Sequence, residues 1–139
     1  VIAMARAEVG IVTVAPELPG GIDLVRALVG GGHRVSLGHS GADFDTAIAA
    51  IEAGARHATH LFNRMTPMAH RAPGLIGAVL SREEVSAELI CDGYHVHPAM
   101  CRIAETATAQ VRSLDFIEAA RATGAGTFTI VRYHVLRVR

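Results

Sequence analysis

The sequence predicts a parallel α/β fold. Short apolar runs rich in β-branched residues recur along it, and the segments between several of them carry apolar residues at helical spacing. Glycine and proline punctuate the joins. Repeated βα units give parallel strands linked by right-handed crossovers, in either a doubly wound open sheet or part of a (β/α)8 barrel. At 139 residues the length alone favours the open sheet, because a full barrel takes about 250 residues.

The first strand is expected over Gly10 to Ala15, ended by Pro16, Pro19 and Gly20. Ile22, Val25, Leu28 and Val29 then mark a helix face that stops at Gly30, Gly31 and Gly32. Arg34 to Leu37 gives a second strand running into Gly38, His39 and Ser40, and Phe44, Ala47, Ile48 and Ile51 a second helix face ending at Gly54. His57 to Phe62 reads as the third strand, whose period of two puts His57 and His60 on opposite faces. A loop with Pro67, Pro73, Gly74 and Gly77 follows, then a fourth strand from Val85 to Cys91. Pro98 suits a helix start, and Met100, Ile103, Ala104 and Ala107 share one side of the helix expected over Ala99 to Gln110. Leu114 to Ile117 is a candidate fifth strand and Thr127 to Val138 a candidate hairpin.

Composition narrows the function. Lys and Arg number 13, as do Asp and Glu, so no charge excess points to nucleic acid or an anionic membrane. Aromatic residues are scarce and Trp is absent, which disfavours base-stacking surfaces. No run reaches the ~18 apolar residues of a membrane span. Cys91 and Cys101 make neither a CxxC pair nor a disulfide framework, so a reducing cytoplasm is expected. Val1 is not an initiator methionine, and an upstream segment is expected. One domain over 1–139 is the default.

His39 and His60 each end an apolar run, with a helix pattern between them. In a parallel α/β protein, strand ends are where chemistry gathers. Neutral imidazoles are good ligands for zinc and similar divalent ions, and a catalytic site commonly uses three protein ligands and a water. Two such histidines are two thirds of that set. On spacing alone the blander reading leads, with His39 capping a helix and His60 held in the core. His33, His57 and His134 read as structural or exposed.

The segments VAPELPGG, VSLGHSGA, GARHATHLFNRM, HRAPGLIGAVL and ELICDGYHVHPAM, in this order, resemble the N-acetylglucosamine-6-phosphate deacetylases of the amidohydrolase superfamily. The resemblance covers about Val12 to Met100, is weak over 102–139, and amounts to about a third of a full-length member. It implies a partial (β/α)8 barrel of the metal-dependent hydrolase type with about five βα units. His39 and His60 become ligands of a divalent metal, zinc first, with iron or another divalent ion as alternatives. Asn63 and Arg64 fall in the segment that holds the sugar phosphate. Arg71 corresponds to a phosphate-pairing arginine supplied by a neighbouring subunit, which implies a homodimer.

By the same resemblance His95 contacts the sugar and helps stabilise the oxyanion, while Asp92 orients its turn and Glu17 is structural. The family's metal-binding glutamate belongs to an upstream H-x-E-G-P motif that this sequence does not include. Glu118 stands where the family has its catalytic aspartate. The implied reaction is hydrolysis of the acetamide of N-acetylglucosamine 6-phosphate to acetate and glucosamine 6-phosphate, in amino-sugar catabolism, impaired in this chain. A second reading is an inactive remnant that binds phosphosugar or metal or serves as an interaction module. A flavodoxin-like domain would need a phosphate-binding glycine loop after the first strand, and VAPELPGG is a poor one.

Overall fold

The computed structural model describes residues 9–112, which divide between Leu89 and Ile90 into two compact units. The first contains β1 (Ile11–Val14), α1 (Gly21–Gly30), β2 (Arg34–Leu37), α2 (Phe44–Glu52), β3 (His57–Ala58), α3 (Gly74–Leu80) and β4 (Ser86–Ala87). The four strands form one sheet in the order β1-β2-β3-β4, and every neighbouring pair is parallel.

Register sorts the strand residues into two rows. Val14, Leu37, Ala58 and Ala87 lie side by side and all are buried. They share a core with Val25 and Leu28 of α1, Ala47, Ala50 and Ile51 of α2, and Leu75, Ile76 and Val79 of α3. Each fully buried Leu, Ile or Val contributes about 1.5–3 kcal/mol. Helix α1 packs on α2, and α2 on α3. One residue earlier on each strand, Thr13, Ser36, His57 and Ser86 form the second row. Side chains alternate along a strand, so this row faces away from the helices, and it is polar throughout.

Helix α2 starts where Asp43, at its N-cap, accepts a hydrogen bond from the Thr46 N–H at 2.8 Å; such a cap is worth about 1 kcal/mol. At the start of α1, a Cβ on Gly21 would lie 2.5 Å from the Pro16 carbonyl oxygen. Only glycine lets the helix begin that close to the turn after β1.

Three expectations need correction. The third strand does not reach Phe62: after Thr59 donates to the Leu37 carbonyl at 3.0 Å the chain leaves the ladder, because His60 takes a φ of 37°. The fourth strand is Ser86–Ala87 rather than Val85 to Cys91, and Cys91 is exposed. The stretch read as loop contains α3. Pro73 stands at its N-cap, where the missing N–H breaks no helical bond, and a Cβ on Gly77 would collide with the Pro73 ring.

The second unit, described over 90–112, comprises a turn around Asp92–His95 and α4 (Pro98–Arg112). His97 starts the helix: its carbonyl accepts from the Met100 N–H at 2.8 Å and its Nδ1 from the Ala99 N–H at 3.1 Å. The helix is thus present as expected, with Ile103 exposed. Among the described residues no helix is long and apolar enough to cross a membrane. Glu118, Leu114 to Ile117, His134 and Thr127 to Val138 lie outside the described residues.

Candidate functional site

The ends of β2 and β3 bring two of the expected residues together. His39 Nε2 and His60 Nε2 are 2.8 Å apart, with the rings edge to face at 66°. Two lone pairs would repel at that separation, so one nitrogen carries a proton and donates it to the other. His60 Nδ1 is buried and has no hydrogen-bond partner among the described residues.

The backbone around them is strained. Among the described residues, the non-glycine positive φ values are those of His39 (51°), His60 (37°), Phe62 (78°) and Arg64 (54°). Each costs on the order of 1–3 kcal/mol and persists only where the surroundings hold it, a pattern typical of functional sites. Here the restraint is visible. Leu61 is buried and its N–H donates to the Glu88 carbonyl at 2.7 Å, and Met65 is buried at the other end of the turn. Asn63 closes the turn, its backbone N–H donating to the His60 carbonyl at 2.9 Å and its side chain reaching the same oxygen at 3.4 Å. Arg64 is exposed.

The loop carrying His39 is held by Glu17. Its carboxylate accepts from Ser40 Oγ at 2.6 Å and from the Gly41 N–H at 2.6 Å. Burial alone would raise the Glu17 pKa, but the hydrogen bonds from Ser40 and the backbone outweigh it and hold the group below its ordinary value. Ser40 is itself buried and accepts from the Ala42 N–H at 3.0 Å.

Below the histidines lies a hydroxyl cluster that sequence reasoning missed. Thr59 Oγ1 is 2.5 Å from Ser36 Oγ and 3.0 Å from Thr13 Oγ1, so the ends of β1, β2 and β3 are tied one residue before His60. Gly38 is part of the fit, since a Cβ there would lie 3.1 Å from Thr13 Cγ2 and 3.2 Å from Thr59 Cβ. The readable signal was one hydroxyl residue inside each of IVTV, RVSL and HATH. His57, two residues before Thr59, places Nδ1 2.7 Å from Ser86 Oγ. Its Nε2 is 3.0 Å from Glu88 Oε1, though angled too poorly for a hydrogen bond.

Arg71 sits apart, in a tight turn closed by reciprocal bonds between Ala69 and Ala72 (3.0 and 3.1 Å), and it is exposed. In the second unit His95 Nδ1 lies 2.6 Å from Asp92 Oδ2. Asp92 Oδ1 accepts the Tyr94 and His95 N–H groups, each at 2.9 Å. The backbone bonds from His95 and Tyr94, with the His95 ring, pull the Asp92 pKa down to about 2.

Fold and site together define a parallel α/β protein with paired imidazoles at adjacent strand ends. Among the described residues no group of three or more His, Cys, Asp or Glu side chains converges, so the pair is their contribution to any metal. The donor set fits one: the two Nε2 atoms that share a proton are the atoms a divalent ion would take in its place.

No family model matches the chain. It is 40 % identical over 126 residues to N-acetylglucosamine-6-phosphate deacetylase of Vibrio furnissii, covering 89 % of this chain and 31 % of that protein. It is 43 % identical over 98 residues to N-acetylgalactosamine-6-phosphate deacetylase of Escherichia coli O157:H7, covering 70 % of this chain and 26 % of that protein. Among solved structures it matches a mutant N-acetyl-D-glucosamine-6-phosphate deacetylase from Mycobacterium smegmatis in complex with N-acetyl-D-glucosamine-6-phosphate. There the TM-score is 0.65 and the identity 43 %, over 67 % of this chain and 24 % of that one. The chain belongs to the N-acetylglucosamine-6-phosphate deacetylase family, and it spans less than a third of the length of these relatives.

Proposed function

We propose that this chain is part of a metal-dependent deacetylase that releases acetate from N-acetylglucosamine 6-phosphate in cytoplasmic amino-sugar catabolism. The observation that carries the reading is the convergence of His39 and His60 at 2.8 Å on strained backbone at adjacent strand ends. The relatives' names support the reaction. They include an enzyme named for the galactosamine epimer; both sugars carry the acetamide and phosphate that the proposed residues would take.

A (β/α)8 barrel is part of the proposal. Strands added in sequential order, without the reversal of a doubly wound sheet, support it, as does packing of α1 on α2 and α2 on α3.

His39 and His60 would hold the ion, zinc or another divalent metal. When bound, it would lower the pKa of a water and polarise the acetamide carbonyl. Glu17 holds the loop that carries His39, and the Thr13–Ser36–Thr59 cluster ties the strand ends that lead into the two imidazoles. Asn63, Arg64 and Arg71 would take the phosphate, Arg71 from a turn exposed enough to serve a neighbouring subunit in a homodimer; an arginine fork suits phosphate oxygens. His95 would contact the sugar, and Glu118 would act as the proton-transferring carboxylate.

The test is metal content after dialysis against zinc. His39→Ala and His60→Ala should each lower retained zinc at least ~10-fold, since even outer-shell losses have that effect. Retention unchanged in both variants would sink the metal site. Acetate release should be undetectable from the 139-residue chain and should appear in a family-length protein carrying this segment with Glu118→Asp. Its absence there would overturn the deacetylase reading.

A further inference from the structure

We propose that Asp92 is a positioning residue that keeps the His95 ring proton on Nδ1, so that Nε2 meets the ligand as a hydrogen-bond acceptor for a hydroxyl or amide N–H. The ligand-facing role of His95 rests on the deacetylase reading; the state of its ring does not.

The geometry divides the Asp92 carboxylate between two tasks. Oδ1 accepts the backbone N–H groups of Tyr94 and His95, which fixes the turn. Oδ2 faces His95 Nδ1 at 2.6 Å. Those same bonds keep Asp92 ionised far below neutrality, and an ionised carboxylate only accepts. The proton in that contact therefore belongs to Nδ1. A neutral imidazole has one N–H, so Nε2 is left with its lone pair. The ring side chain is 53 % exposed, which leaves it open to a ligand. Neutral His95 consequently cannot donate to a developing oxyanion, the role implied by the family resemblance, and can do so only when doubly protonated. It selects ligands that present a donor, and an acetamido sugar has both hydroxyls and an amide N–H.

The division of labour supplies its own test. Asp92→Asn keeps an acceptor at Oδ1 for the two backbone N–H groups but puts an NH2 opposite Nδ1. That amide can only donate, so the ring must place its lone pair on Nδ1 and its proton on Nε2. The measurement is 15N NMR of the imidazoles of the full chain, at about pH 9, well above the ordinary histidine pKa of ~6.5. The His95 signals are assigned by their loss in His95→Gln. The native chain should show a protonated-type Nδ1 and an unprotonated-type Nε2, and the two signatures should exchange in Asp92→Asn. A protonated Nε2 in the native chain overturns the proposal. So does an Asp92→Asn chain that retains Nδ1–H while its Tyr94 and His95 amide shifts are unchanged. Failed zinc retention or absent acetate release would strike the deacetylase reading alone, because the tautomer is read without metal or substrate.

Discussion

Glu17 shows how a single carboxylate can set the quality of a site it does not enter. It ties the turn after β1 to the His39 loop through Ser40 and Gly41, and Glu17→Ala should destabilise the chain by about 1 kcal/mol once exposure is discounted. The pKa of this group is lowered on folding from 4.5, so its contribution is complete above that value and is lost as pH falls through the lower folded value. Urea titrations of the native chain and Glu17→Ala should differ at pH 7 and converge under strongly acidic conditions; a gap that persists there would mean the carboxylate's charge is not what matters. The histidine pair itself was legible, because His39 and His60 each close an apolar run. The positive φ at both residues was not, since it arises from restraints such as Leu61 on Glu88 that only three-dimensional packing supplies.

Within the elements, close approach matters more than propensity. Gly21→Ala would press a Cβ against the Pro16 backbone, which cannot yield as a side-chain tip can. The cost should be about 1–3 kcal/mol, seen as a lower urea midpoint with unchanged slope. Thr59→Val retains shape but removes the hydroxyl shared by Ser36 and Thr13. Ser36 is fully buried, and leaving its hydroxyl without this partner should cost about 1–3 kcal/mol. Thr59→Ser should recover most of that loss, and an undiminished loss in Thr59→Ser would assign the effect to packing. The strands β1 and β2, with α1 and α2, could be read from apolar periodicity because each unit ends on clear breakers. The same reasoning concealed α3, where Pro73 and Gly77 serve the helix start rather than interrupt it. It overextended β3 because its apolar letters run on into the turn anchored by Leu61, and β4 because Leu89 and Ile90 carry the apolar run past Ala87.

At the scale of the whole chain, surface and charge act together. Among the described residues β1 ends the sheet, with Ile11 47 % and Leu18 60 % exposed, beside an apolar groove of about 470 Å³ lined by Val12, Leu24 and Leu28. An uncharged strand edge of this kind invites pairing with another chain. The formal net charge is zero and the isoelectric point about 7.2, so little repulsion opposes contact at neutral pH. Sedimentation of the metal-free chain at pH 7.2 should therefore give an average mass above that of a single chain. Ile11→Lys should reduce the mass at pH 7.2 by putting a charge on the β1 edge. An average mass unchanged in Ile11→Lys would show that the β1 edge does not govern association.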